Sequence, residues 1–228
     1  MPNKKKIRVK VKKRKLKIKN ILILLLILII LYFGISYLLH IKIKNIYIIN
    51  NSIVPDKEII ANANLEDYPS FLLTTSGEIK NNILKNNYIK DVKVTKKLGS
   101  KVYIEIEEYK PLCLYNDEII LESGKKINNI YNLHLPILLN DVSSVYDDFI
   151  NYFSKVENDI LTKISEIEYT PNDVDNERFL LTMNDGNYVY ITLTKITKLN
   201  KYNSIKDQLE GKLGIIYLDS GDYVEIKE

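Results

Sequence analysis

The sequence predicts an α+β protein with one membrane-spanning helix near its amino terminus, a small strand-helix-helix-strand-strand unit, and a mostly antiparallel β domain with helices packed on it. Three observations carry this prediction. One is an uncharged apolar run of nineteen residues. The second is a stretch between residues 43 and 108 in which helical and alternating patterns succeed one another. The third is a second half built of short alternating runs separated by turn residues. Of the 228 residues 46% are hydrophobic and 27% charged, which is too apolar for a chain disordered throughout. The single cysteine excludes an intrachain disulfide framework.

The membrane helix is predicted over Ile21 to Leu39, where fifteen of nineteen residues are Ile, Leu or Phe and none is charged. Nineteen residues at 1.5 Å each reach about 28 Å, close to the hydrocarbon thickness of a bilayer. Fifteen such side chains give about −5 to −9 kcal/mol of insertion propensity. A cleaved signal peptide would have a shorter apolar region closed by small residues, whereas His40, Ile41 and Lys42 follow here, so an uncleaved anchor is expected. Before it, the first twenty residues carry eleven Lys and Arg and no acid. Taking those eleven from the formal charge of +4 leaves −7 for everything after Asn20. Binding of nucleic acid by the acidic remainder is therefore not expected. Only Lys42 and Lys44 flank the far end, so the basic segment is expected on the cytoplasmic side and residues 40–228 outside.

After the anchor, Ile43 to Asn50 reads as a strand. Pro55, Asp56 and Glu58 supply the fixed φ and early acids that open a helix ending near Asn64. Thr75 and Glu78 have capping-box spacing, and Ile79, Ile83 and Leu84 give the second helix its apolar face. Val92 and Val94 alternate with polar residues in Ile89 to Leu98, as do Val102, Ile104 and Ile106 in Lys101 to Glu108. Gly99 and Ser100 turn the hairpin between these strands. Further on, Glu122 to Gly124 and Asn184 to Gly186 read as hairpin turns, the latter between strands Phe179 to Met183 and Tyr188 to Leu193. Ser143 to Asn158 is expected as one helix with Val145, Phe149, Tyr152, Phe153 and Val156 on its apolar face. Ile196, Leu199, Tyr202, Ile205 and Leu209 repeat at helical spacing, and Leu213 to Asp219 and Tyr223 to Lys227 are the closing strands. Because the sequence stops just after Ile226, the last strand is expected at a sheet edge, where free amides can template another chain.

Motifs for catalysis are missing. There is no G-x-x-x-x-G-K-[ST], H-E-x-x-H or G-x-S-x-G, and His40 and His134 are the only histidines. Cys113, His134 and Arg178 could compose a transpeptidase site, but Cys113 lies between Leu112 and Leu114 in a strand pattern and reads as a small buried hydrophobe. His134 reads as a loop or core residue. Glu105, Glu107 and Glu108 read as a solvated face rather than a carboxylate cluster. No catalytic, metal-binding or cofactor-binding residue is assigned, and no small-molecule substrate is expected.

The order β-α-α-β-β directly after a single anchor, closing in NNYIKDVKVTKKLGSKVYIEIEEYKPLCLY, resembles the polypeptide-transport-associated (POTRA) domain of the FtsQ/DivIB cell-division family. NDEIILESGKKI, LHLPILLN, ISEIEY, LLTMNDGNYVYI and IIYLDSGDYVEI continue the resemblance in order over nearly the whole chain. It implies a basic cytoplasmic tail over 1–20, a transmembrane helix over 21–39, a POTRA domain over 40–110 and a carboxy-terminal β domain over 111–228. It also implies a non-enzymatic protein of the division septum. By the same resemblance the protein links early and late division components by binding coiled-coil partners of the FtsL and FtsB/DivIC type, which extend the sheet at its carboxy-terminal end. Tyr217, Asp219, Ser220, Gly221, Tyr223, Val224 and Ile226 are the residues placed at that end. The competing classes are an anchored wall-remodelling enzyme and an unrelated extracytoplasmic adaptor.

Overall fold

The computed structural model describes residues 18–227, so most of the expected cytoplasmic tail and Glu228 lie outside the described residues. Residues 18–20 belong instead to the first turn of helix α1 (Ile18–Leu39), whose 22 residues give a rod of about 33 Å with no buried side chain.

The first unit follows the expected order: β1 (Asn45–Ile49), α2 (Asp56–Asn62), α3 (Ser76–Ile83), β2 (Ile89–Lys97) and β3 (Lys101–Glu108). Its three strands lie in the order β1-β3-β2, with β1 parallel and β2 antiparallel to β3. The alternation read from sequence sends Val102, Ile104 and Ile106 inward against Ile59, Ile79 and Ile83 of the helices, all buried. Pro55 opens α2 with Asp56 and Glu58 in its first turn. Of the expected capping box, the described hydrogen bonds include the Thr75 half, its hydroxyl accepting from the Glu78 amide at 3.1 Å.

Glu108 departs from the solvated face expected of it. Its carboxylate accepts from the amides of Ser52, Ile53 and Val54 and from the Ser52 hydroxyl, at 2.8 to 3.1 Å. The partners lie more than fifty residues upstream, which is why no local pattern announces them. Four donors on one carboxylate pin the β1–α2 loop to the end of β3.

The remaining strands form a nine-stranded sheet. They are β4 (Pro111–Tyr115), β5 (Glu118–Leu121), β6 (Lys126–Asn128), β7 (Ile137–Leu138), β8 (Ile164–Tyr169), β9 (Arg178–Met183), β10 (Tyr188–Thr192), β11 (Gly214–Tyr217) and β12 (Tyr223–Ile226). Their order is β12-β11-β10-β9-β8-β7-β4-β5-β6. Most ladders are antiparallel, while β4–β7, β7–β8 and β10–β11 are parallel. Helices α4 (Tyr146–Phe153), α5 (Asn158–Leu161) and α6 (Tyr202–Gln208) accompany it. Phe149 and Phe153 of α4 meet Phe179 of β9 at centroid distances of 5.6 and 5.8 Å in the centre of its core.

Two helix expectations need correction. The helix expected over Ser143 to Asn158 is a 3₁₀ turn, Ser143–Val145, followed by α4, which stops at Phe153. The Glu157 amide, which a continued helix would aim at the Phe153 carbonyl, donates instead to Asn200 Oδ1 at 2.9 Å, and the Lys110 ammonium donates to the Ser154 and Val156 carbonyls beyond the helix, although Val156 is still buried. The helical spacing from Ile196 to Leu209 is divided between a 3₁₀ stretch, Leu193–Lys201, and α6.

β5 has no solvent-facing side. Ile119 and Leu121 join the core of the first unit, and Ile120 between them joins the core of the large sheet. The period of two in a strand accounts for this split.

Candidate functional site

β12 is the last strand of the sheet and pairs with β11 alone, in the register Gly214↔Ile226, Ile215↔Glu225, Ile216↔Val224 and Tyr217↔Tyr223. The Lys227 amide donates to the Leu213 carbonyl at 2.9 Å, which makes that pair a hydrogen-bonded one. Bonded and non-bonded pairs alternate along an antiparallel ladder, so Glu225 and Tyr223 turn their backbone groups to β11. The amides and carbonyls of Val224 and Ile226 face the open edge.

A column of side chains runs under this edge on one face of the sheet. Tyr223 stacks on Tyr217 at 4.6 Å, Tyr217 on Tyr190 at 5.3 Å, and the Arg178 guanidinium lies 3.8 Å from the Tyr190 ring centre. Arg178 Nε also donates to Asp219 Oδ2 at 2.7 Å. Burial pushes the Asp219 carboxyl up, but the hydrogen bonds from Arg178 and Ser220 outweigh it and hold the group below its ordinary value. The turn is tied down further by Lys195, which donates to the Asp219 carbonyl, and by Lys198, 2.6 Å from Asp222. Gly221 is needed here because a Cβ would lie 2.9 Å from the Tyr223 ring. Gly214 is needed because one would lie 2.9 Å from the Glu225 carbonyl oxygen. Both glycines let β12 and its turn close onto β11.

The structure therefore brings all seven residues expected at this end together, in different parts. Tyr223 and Ile226 stand 51% and 46% exposed on opposite faces of β12, and Val224 packs partly on the core. Tyr217 sits one strand inward, donating to Glu225 Oε2 at 3.2 Å. Asp219 is turned into its ion pair and Ser220 donates to it, so these two shape the turn. Sequence reasoning missed Tyr190 as a member of the column and Arg178 as its base. It also missed the loop from Asn172 to Asp175, which with Tyr217 and Tyr223 borders a hollow beside the edge. Tyr190, between the buried Val189 and Ile191 in an alternating run, was legible as an outward residue. Its stack on Tyr217 required the parallel β10–β11 pairing.

The Asp219 ion pair has a pH signature. Because the folded-state pKa lies below the unfolded one, the unfolded chain takes up the proton first. The pair's contribution is complete at neutral pH and is lost as pH falls below about 4 through the folded pKa. Urea midpoints of the wild type and Asp219→Asn should therefore differ most at neutral pH and converge in acid.

Cys113 is fully buried in the large core, and burial pushes its thiol up to about 12. His134 is an exposed loop residue. A thiol held in that state is not a nucleophile at neutral pH. Cys113→Ala should lower stability by about 1 to 2 kcal/mol in urea titration, and the wild-type thiol should resist alkylation until the protein unfolds.

A single long apolar helix, a three-stranded unit with two helices directly after it, and a broad sheet carried beyond define a POTRA-bearing protein whose helix fits a single-pass membrane anchor. The family description "POTRA domain, FtsQ-type" matches residues 41–109. The cell division protein DivIB of Bacillus subtilis is 31% identical over 194 residues, covering 81% of this chain and 74% of that protein. DivIB of Bacillus anthracis is 28% identical over 197 residues, covering 80% and 73%. A solved structure of the major extracytoplasmic domain of DivIB from Geobacillus stearothermophilus, 20% identical, covers 46% of this chain and 96% of that one with a TM-score of 0.38. The chain belongs to the DivIB family of cell division proteins. That family is one of division proteins and not a known enzyme family.

Proposed function

We propose that this protein is a non-enzymatic link of the division machinery at the septum. Its amino terminus lies in the cytoplasm, with the POTRA domain, 40–110, and the β domain, 111–228, outside the membrane. The β12 edge receives a strand from a coiled-coil partner of the FtsL or FtsB/DivIC type, and through it early and late division components are joined. The open row of Val224 and Ile226 backbone groups, framed by exposed Tyr223 and Ile226, is the observation that supports this reading. Backbone groups there supply affinity, and pockets for alternate side chains supply specificity. The eleven-to-two imbalance of basic residues across the anchor supports the orientation. The wall-remodelling alternative finds no support at the buried Cys113.

The test compares the full chain with one lacking Asp222 to Glu228, both in membranes. The truncated chain should insert normally, with its amino terminus protected from external protease, and fail to capture the coiled-coil partner or concentrate at mid-cell. Capture at wild-type affinity by a folded truncation would move the site elsewhere.

A further inference from the structure

Two loops of the POTRA unit return to the point where the chain leaves α1, and both hold apolar side chains out in solvent. The first spans residues 66–74. Ile43 donates to the Pro69 carbonyl at 3.0 Å and Phe71 to the Ile41 carbonyl at 2.8 Å. The Ser70 hydroxyl donates to the carbonyl of Leu39, the last residue of the helix, at 2.6 Å. The second is the β2–β3 turn, Leu98 to Ser100, which the Lys44 amide holds through the Ser100 carbonyl at 2.9 Å. Lys96 ties the two together, donating to the carbonyls of Phe71 and Thr74 while lying 4.3 Å over the Phe71 ring. At the tips, Leu72 and Leu73 are 48% and 63% exposed, Tyr68 47%, and Leu98 97%.

Single exposed apolar residues are ordinary on any surface. Here two separate loops, fastened to the same five-residue exit segment, turn three leucines and a tyrosine outward. Lys42, Lys44, Lys97 and Lys101 lie on the exit segment and around the hairpin, while the acids of the first loop, Glu66 and Asp67, precede its apolar residues. Exposed leucines with lysines on the adjoining stretches of chain, beside a membrane helix, match the layered chemistry of a bilayer surface, apolar below and anionic above.

We propose that these loops dock on the bilayer itself, with Leu72, Leu73 and Leu98 entering the acyl boundary and the lysines meeting anionic lipid headgroups. The first unit is thereby seated on the membrane at three points, the helix and two loops, and its tilt is fixed. The proposal rests on α1 spanning the bilayer, and its test separates the two.

The sequence holds no tryptophan, so each introduced one reports alone. The full chain carrying Leu73→Trp, Leu98→Trp, or Val174→Trp as a control on a 97% exposed loop residue would be reconstituted into vesicles of phosphatidylcholine with phosphatidylglycerol. Flotation with the vesicles reads insertion of α1. Acyl-brominated lipid should then quench the tryptophans at 73 and 98 by about twofold or more, with blue-shifted emission, and leave that at 174 unaffected. Quenching should weaken in pure phosphatidylcholine. Floated protein whose tryptophans at 73 and 98 both emit like that at 174 would overturn the proposal, as would quenching at one loop alone. Equal quenching in both vesicles would overturn the role of the lysines.

Discussion

Val224→Pro should cut capture of the coiled-coil partner about fivefold or more while β12 stays in the sheet. The Val224 amide faces the open edge, so proline removes a donor that the folded chain does not use for its own ladder and that an added strand would need. One lost backbone bond, with the partner's carbonyl left unpaired, costs about 1 to 3 kcal/mol, and about 1.4 kcal/mol is a factor of ten. Glu225→Pro supplies the contrast, because that amide belongs to the pair with Ile215 and its loss should detach β12 from β11. Titration of the partner's extracytoplasmic segment, with melting curves for both variants, reads the two effects separately. Undiminished capture by Val224→Pro would remove the strand-addition mode.

Phe153→Ala should be the most damaging single truncation for stability, at about 3 to 5 kcal/mol in urea titration. Phe153 is fully buried, its ring centre 4.4 Å from that of Phe149 on its own helix and 5.8 Å from that of Phe179 on β9. Those rings hold α4 against β9, and the space left by one is enclosed by the others, so little collapse can relieve it. A loss below about 1 kcal/mol would mean that the cluster repacks freely.

What could be read in advance followed from local periodicity. Val102, Ile104 and Ile106 announced a strand face by alternation, and Asp185 with Gly186 announced a hairpin by turn chemistry. Each of these signals lies within a few residues of its effect. What escaped depended on partners far along the chain. Apolar spacing continued through Val156, yet α4 ends before it, with the Glu157 amide donating to Asn200, more than forty residues on, and Lys110 donating to the carbonyls beyond. Glu108 had two acidic neighbours, Glu105 and Glu107, and no local sign that it alone would gather the amides of Ser52 to Val54. At the candidate site, the last strand and its exposed Tyr223 were legible. The aromatic column beneath was not, because β10 and β11 are parallel and the crossover between them fixes a register that neither strand encodes alone.

β5 works as a wall common to two rooms. A load placed on β12 by a bound partner passes from ladder to ladder across the sheet and reaches Ile120. The other side of that strand, Ile119 and Leu121, is already pressed into the unit that follows α1. Close-packed interiors yield little and transmit strain. Tension between β12 and the unit after α1 would therefore travel through packed side chains and not through a slack joint, and residues 41–227 would behave as a strut.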